Sequence, residues 1–393
     1  MKTERIYLDY NATTPLCKAA QEVLQRSQLD DAKPHNASSM HEEGRQTRAW
    51  MDEARWRIAR CLGVQEGEIV FTSGGTESNN LAIIGGLLGW LRSRGESRGG
   101  TILTTAIEHH CVLSAADWLK RWIGTEVIEV SVDEYGRVSP EVIGKEAQAR
   151  QPALISVMAA NNEVGTRQPV EEIGRWCRER GILFHVDAVQ LAGKASLKAV
   201  CTNADFVSLS GHKIYGPHGV GALYVRAGTQ IESLTLGGWQ EMGRRAGTEN
   251  AAAALAMAVA LEDCEARLEE EGTRQWLLVE ELWKGLVEIG GVRRNGHATE
   301  RVPNTLNVTF TGVDQQTLLM ALDLEGLSVS SGSACVVGTW QPSHVLRAMG
   351  LGDRGATVRF SLGRGTTASA VDEAVRRVRE VVGRLRDVGD LGV

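Results

Sequence analysis

The chain lacks a C-x-x-C pair, an apolar run long enough to span a bilayer, and any surplus of basic charge. Its seven cysteines (Cys17, Cys61, Cys111, Cys177, Cys201, Cys264 and Cys335) are odd in number and widely scattered. That pattern indicates neither a zinc site nor a disulfide framework. No apolar stretch reaches the ~18–20 residues of a membrane helix. Met1-Lys2-Thr3-Glu4-Arg5 leads straight into Ile6-Tyr7-Leu8-Asp9-Tyr10, without the apolar segment of a secretory signal. A cytoplasmic location is therefore expected. The net charge of -6 offers no basic face for nucleic acid. Internal repeats and low-complexity tracts are also missing.

What is there suffices for two lobes, each with its own core: 393 residues, 42% hydrophobic and 23% charged. Short Val- and Ile-rich runs at 68–71, 101–104, 127–130, 154–157, 182–186, 206–209 and 220–224 are mostly separated by helix-length segments. They predict a mainly parallel seven-stranded sheet covered by helices on both faces. The last two runs are close enough for a hairpin, so an antiparallel edge is expected. Residues 249–290 read as long helix bridging the lobes. Beyond about 291 the period changes. Thr305–Phe310 alternates like a strand with one wet face, 318–322 is helical, 358–362 is a strand, and 370–385 is an amphipathic helix. This is an α+β second lobe. Cys61 and Cys177 fall on helical apolar stripes and read as core. Cys335, in Ser330-Ser331-Gly332-Ser333-Ala334-Cys335, has serine and glycine neighbours instead.

Several strings carry chemistry. Thr72-Ser73-Gly74-Gly75-Thr76-Glu77 follows a strand and opens a helix, where glycines and free amides suit an anion. Alone such a string more often marks a capping turn. Phe184-His185-Val186-Asp187 ends another strand, and ligands gather at strand carboxyl ends in α/β sheets. There Asp187 can keep a pyridine nitrogen protonated, or it can cap a helix. Gln190 follows within reach of a phenolic oxygen. Lys213, in Ser210-Gly211-His212-Lys213, can hold an aldehyde as a Schiff base. Glu108-His109-His110 offers an imidazole for proton transfer, and spacing leaves open which one. Asn162 can bind a carboxylate or a cofactor oxygen. Arg359, an arginine between apolar strand residues, wants a planar anion or an ion-pair partner. Lysine, aspartate and a downstream thiol together read as a pyridoxal-phosphate enzyme acting on a sulfur amino acid.

With these strings in order, the chain resembles the group I cysteine desulfurases of the class-V aminotransferase family. The resemblance also takes in Tyr7-Leu8-Asp9-Tyr10-Asn11-Ala12-Thr13-Thr14-Pro15, Asn161-Asn162-Glu163-Val164-Gly165, Arg245-Ala246-Gly247-Thr248-Glu249-Asn250 and Arg359-Phe360-Ser361-Leu362-Gly363-Arg364. It implies an α/β, fold-type I architecture: a large cofactor domain over 14–260, and a small domain from 1–13 with 261–393. It implies that Lys213 carries the cofactor and later moves protons, that Asp187 pairs with the pyridine nitrogen, and that His109 stacks on the ring. Gln190 meets the phenolic oxygen, with Asn162 also at the cofactor. Gly75, Thr76, Ser210 and His212 bind the phosphate, joined by Thr248 from a partner subunit, which makes a homodimer. Asn36, Asn162 and Arg359 hold the substrate carboxylate. Cys335 takes sulfur from L-cysteine as a persulfide, leaves alanine, and passes the sulfur to an acceptor protein, an iron–sulfur scaffold or a thiolation relay. No resident metal is implied, and Cys335 is a candidate transient ligand of a nascent cluster.

The chain departs from the family pattern at four places. Ala37 stands for proline in Asn36-Ala37-Ser38-Ser39-Met40-His41. Trp239 interrupts a glycine-rich string, near the expected phosphate site of a second subunit. The segment after Cys335, Val336-Val337-Gly338-Thr339-Trp340, is unusually apolar. The tail after Arg386 is short, which puts a scaffold partner there in doubt. Selenocysteine lyase and cysteine sulfinate desulfinase are the alternative activities on the same fold, because packing alone seldom excludes a selenium isostere. Cys335 argues against plain transamination. Lys213 with Asp187 argues against a relay scaffold without catalysis.

Overall fold

The computed structural model describes residues 4–29, 34–332, 343–352 and 355–390. Its strands are β1 (Ile6–Tyr7), β2 (Ile69–Thr72), β3 (Thr101–Thr105), β4 (Glu126–Val130), β5 (Leu154–Met158), β6 (Leu183–Asp187), β7 (Phe206–Ser210), β8 (Gly221–Val225), β9 (Val292–Asn295), β10 (Thr305–Phe310), β11 (Leu327–Ser328) and β12 (Ala356–Ser361). The seven apolar runs between residues 68 and 225 form one sheet, in the order β2-β8-β7-β6-β5-β3-β4. Neighbours from β7 to β4 pair in parallel. β8 runs antiparallel to both β7 and β2. Residues 211–220 are too few for a crossover helix, so the chain turns back directly. The expected hairpin and antiparallel edge are both present, with β8 one strand in and β2 forming the edge.

Strand periodicity divides the core. Phe71, Leu103, Ile155, Val207 and Ala222 face one buried cluster, under the helices Glu42–Leu62, Val170–Glu179 and Ala251–Glu265. Their neighbours Val70, Ile102, Leu154, Phe206 and Leu223 face another, under Gly86–Ser93 and His110–Ile123. Successive side chains on a strand point to opposite faces, so each apolar pair feeds both cores. No described helix is long and apolar enough to cross a membrane.

A third core joins Leu8, Leu282, Phe310, Leu322, Phe360 and Val378. It lies between the antiparallel sheet β12-β10-β9 and the helices Leu268–Val287, Gln315–Leu324 and Ala368–Asp390. β10 differs from expectation: all six of its residues are buried. Its polar side chains meet protein rather than water. Thr305 Oγ1 accepts from Asn11 Nδ2 at 2.8 Å. Asn307 Nδ2 donates to the Glu163 carbonyl at 3.1 Å. Thr309 Oγ1 accepts from Asn295 Nδ2 at 2.8 Å. A polar alternate face is equally compatible with burial once partners exist.

Candidate active site

Three strands of the large sheet end at one place. β6 ends on Asp187, β7 on Ser210 with Gly211–Lys213 as the following turn, and β2 leads through Gly74 into the helix at Gly75. Beyond these ends lies a cavity of about 410 Å³. Gly75, Thr76, Asp187, Ser210, His212 and Lys213 line it, as do His109, Asn162, Gln190 and Arg359. Asn36 and Thr248 do not; both are exposed, and Asn36 Oδ1 accepts from the Ser38 amide at 2.9 Å. Cys335, with Val336, Val337 and Trp340, lies outside the described residues.

Lys213 Nζ donates to the carbonyls of Asn11 and Ala12, each at 2.7 Å. Burial, with Arg359 nearby, lowers its pKa to about 8, against the opposing pull of Asp9 and Asp187. Asp187 is 6% exposed. Its Oδ2 accepts from Asn79 Nδ2 at 2.7 Å and its Oδ1 from the Val189 amide at 3.0 Å. Burial raises its pKa, because a carboxylate out of water needs a cation it does not fully have here.

At the anion end the backbone comes close. A Cβ on Gly75 would meet Val189 Cγ2 at 2.7 Å, and one on Gly221 would meet Gly74 at 2.6 Å. The amides of Gly75 and Thr76 head a helix that runs unbroken through a π turn, Leu81–Gly85, into Gly86–Ser93. Helix-leading amides have no partner within the helix. His212 shares a hydrogen bond with Thr13 Oγ1 at 3.2 Å and stacks on His218. Burial, then the charge of Lys213, lowers its pKa to about 4, so it is neutral.

Arg359 reaches the cavity from β12. Its Nη2 donates to Asp9 Oδ1 at 2.6 Å and its Nη1 to the Asn162 carbonyl at 2.9 Å. Its buried Nε finds no acceptor among the described residues. A buried unpaired donor on a guanidinium has capacity left for one more acceptor, and an anion's oxygen suits it.

The structure fixes the surroundings of His109 and adds cavity-lining groups that the sequence reading gave no role. His109 Nδ1 accepts from the Cys111 amide at 3.2 Å, capping His110–Ile123, and lies 3.0 Å from Cys111 Sγ. Protein packed around it lowers its pKa. His110 lies against His344, ring centroids 4.6 Å apart. Glu163 Oε2 accepts from Ser343 Oγ at 2.5 Å, and burial raises its pKa to about 7. Asn11, Asn79, Cys111, Glu163 and His344 all line the cavity. Asn11 and Glu163 stood inside motif strings, which was the one signal available. Cys111 and His344 had none.

The Aminotransferase class-V family model matches residues 6–374. The chain is 40% identical to a protein named cysteine desulfurase IscS from Methanosarcina thermophila, over 99% of this chain and 95% of that one. A solved structure titled NIFS-like protein superposes with a TM-score of 0.87 at 35% identity, covering 97% of this chain and all of that one (100%). Another, titled SspA in complex with cysteine, gives 0.78 at 34% identity, covering 91% and 98%. The match runs through both lobes and through every string that lines the cavity, and the chain belongs to the class-V aminotransferase family, alongside its cysteine desulfurases.

Proposed function

We propose that this protein is a pyridoxal-phosphate-dependent cysteine desulfurase. It converts L-cysteine to L-alanine and leaves the sulfur as a persulfide on Cys335. The observation that carries the reading is the meeting of Lys213, Asp187 and Arg359 in one cavity. Its sequence relative named cysteine desulfurase and its structural neighbour titled in complex with cysteine support the same reading.

The donor set fits pyridoxal phosphate. An aldehyde requires a neutral amine, and a pKa of about 8 leaves Lys213 partly neutral near pH 7. A pyridine nitrogen requires an acid partner, and the buried Asp187 gains from a cation there. A phosphate requires donors, which Gly75, Thr76, Ser210 and neutral His212 offer. In this reading Gln190 would meet the phenolic oxygen, Asn162 a cofactor or substrate oxygen, and His109 the ring face; all three line the cavity. When bound, the cofactor supplies the electron sink that lets a carbon–sulfur bond break.

The protein's own groups do the rest. Arg359 binds the substrate carboxylate through its unpaired Nε edge, oriented by Asp9 and the Asn162 carbonyl; Asn36, off the cavity in this chain, is not part of that contact. Lys213 Nζ leaves the Asn11 and Ala12 carbonyls and carries a proton between substrate carbons. His109, neutral at Nδ1, shuttles a second. Cys335 attacks as thiolate. The substrate C–S bond breaks, an S–S bond forms on Cys335, and the proton balance closes on alanine. Thr248, exposed and off the cavity in this chain, contacts the phosphate of a second subunit in a homodimer. The sulfur then passes to an acceptor protein in the cytoplasm, an iron–sulfur scaffold or a thiolation relay. The separate third core supports a division near residue 260, with 1–13 and 261–393 as the small domain.

The test is alanine and sulfide release from L-cysteine with reductant, wild type beside Cys335→Ala. Equal yields from wild type and none from a variant that stays yellow support the reading. Alanine still formed without Cys335 would instead favour a selenocysteine lyase or sulfinate desulfinase.

A further inference from the structure

Lys194 follows Gly193, four residues after Gln190, and has the look of an ordinary surface lysine. The fold turns it inward. Its Nζ donates to Gln190 Oε1 at 2.8 Å and to Asn11 Oδ1 at 3.1 Å. Both acceptors are neutral amide oxygens. Other donors converge on the same asparagine. Gln190 Nε2 and Lys213 Nζ both give to its carbonyl, at 3.0 and 2.7 Å. Asn304 Nδ2 reaches its Oδ1 at 3.1 Å. Lys194 and Lys213 also line one small cavity of about 20 Å³, together with Tyr215 and Cys264. A void of that size holds about one water.

A carboxamide has two ends of opposite polarity, and only its partners decide which faces where. An ammonium has no acceptor, so Lys194 can meet Gln190 only at Oε1. The Gln190 nitrogen is thereby held on the other side. One N–H goes to Asn11, and the second is left for the large cavity, which Gln190 lines. Flipped, the side chain would set an oxygen against any anionic oxygen bound there.

We propose that Lys194 is a positioning residue for the reaction: it clamps Gln190 Oε1 and Asn11 Oδ1, fixing the N–H end of Gln190 toward the cofactor and the Asn11 carbonyl beneath Lys213. This inference rests on the cofactor reading above. Burial of the ammonium, with the charges of Lys213 and Arg359 nearby and Cys264 opposing them, also brings the pKa of Lys194 down to about 7. Such a group is sensitive to its surroundings, and the clamp is strongest when it is protonated.

The experiment is a spectrophotometric pH titration of the holoenzyme chromophore, with the dissociation constant for pyridoxal phosphate measured alongside. Wild type is compared with Lys194→Met, which keeps length and loses the donor, and Lys194→Gln, which keeps a neutral donor. Loss of an N–H donor to the phenolic oxygen makes the chromophore more basic. Lys194→Met should raise its apparent pKa by about one unit and weaken cofactor binding about tenfold. Lys194→Gln should recover most of both. Gln190→Leu should reproduce the Lys194→Met spectrum, which keeps the test alive if Lys194→Met folds poorly. Variants that bind cofactor and titrate like wild type, with or without lost thermal stability, overturn the inference and leave the cofactor reading intact. So does a Gln190→Leu chromophore that titrates like wild type. A wild-type protein that binds no pyridoxal phosphate defeats the reading beneath it instead.

Discussion

The seven-stranded sheet sets its site groups at or beyond strand ends, whereas the three-stranded sheet offers one from mid-strand. Asp187 and Ser210 are the last residues of β6 and β7, and Lys213 follows within one turn. Arg359 sits inside β12, opposite Asn307 on β10. Groups of the first kind are held by the sheet they belong to, because parallel strands deliver their ends side by side. Arg359 is held by partners far away in the chain, Asp9 and the Asn162 carbonyl, and one of those comes from the other lobe. Under the proposed function, the chemistry would sit on the ends of the large sheet, and substrate recognition on contacts that cross between the lobes.

That contrast can be broken or sharpened by substitution. Removing the amine should have the largest effect: Lys213→Ala should lower kcat by at least about 10³-fold while the protein stays folded by circular dichroism. Measurable turnover above that would end the assignment of Lys213. Next, Arg359→Lys should raise KM for L-cysteine about 10- to 100-fold with a smaller change in kcat, since an ammonium cannot reproduce the forked contact. A pure kcat loss would move Arg359 from recognition to chemistry. If the seam matters, Asp9→Asn should show the same KM bias in weaker form.

The large sheet has its own pH signature. His185 is fully buried between Ser156 Oγ at 2.8 Å and Ser208 Oγ at 3.0 Å, and burial lowers its pKa to about 3. Unfolded, it titrates near the ordinary histidine value of about 6.5. The unfolded chain binds the extra proton first. Stability from this group is therefore complete above about pH 6.5 and is lost as pH falls toward 3. Urea unfolding should show a loss approaching about 1.4 kcal/mol per pH unit there, and His185→Gln should flatten it. An unchanged slope would show that other groups govern acid unfolding. The smallest effect is expected at the seam: Ser343→Ala removes a helix cap and the partner of Glu163, costing about 1 kcal/mol. A shift within error would mean that water replaces the hydroxyl.

Much of this architecture was legible in the sequence because it is local. The strand runs are short, apolar and spaced by helices, and each forms a strand within about two residues of the expected place. β9 was not legible, because Val292-Arg293-Arg294-Asn295 carries no apolar alternation. Nor were β1 and β11, which have two residues each and pair across the length of the chain. In the site, Lys213, Asp187, Gln190 and Arg359 stood out through residue type at strand ends or within a strand. Asn36 and Thr248 are exposed and off the cavity of this chain, while Cys335 lies outside the described residues.

The sequence by itself determined the strand runs and the residue types that stand at their ends, because periodicity and residue type act over a few neighbours. Only the tertiary structure decided that β8 lies inside the edge, that the polar side of β10 is buried, and that Lys194 turns inward to clamp Gln190 and Asn11. It also decided that Asp9 orients an arginine 350 residues away. Such contacts depend on which surfaces the completed fold brings together, and no local pattern of hydrophobicity or charge records that.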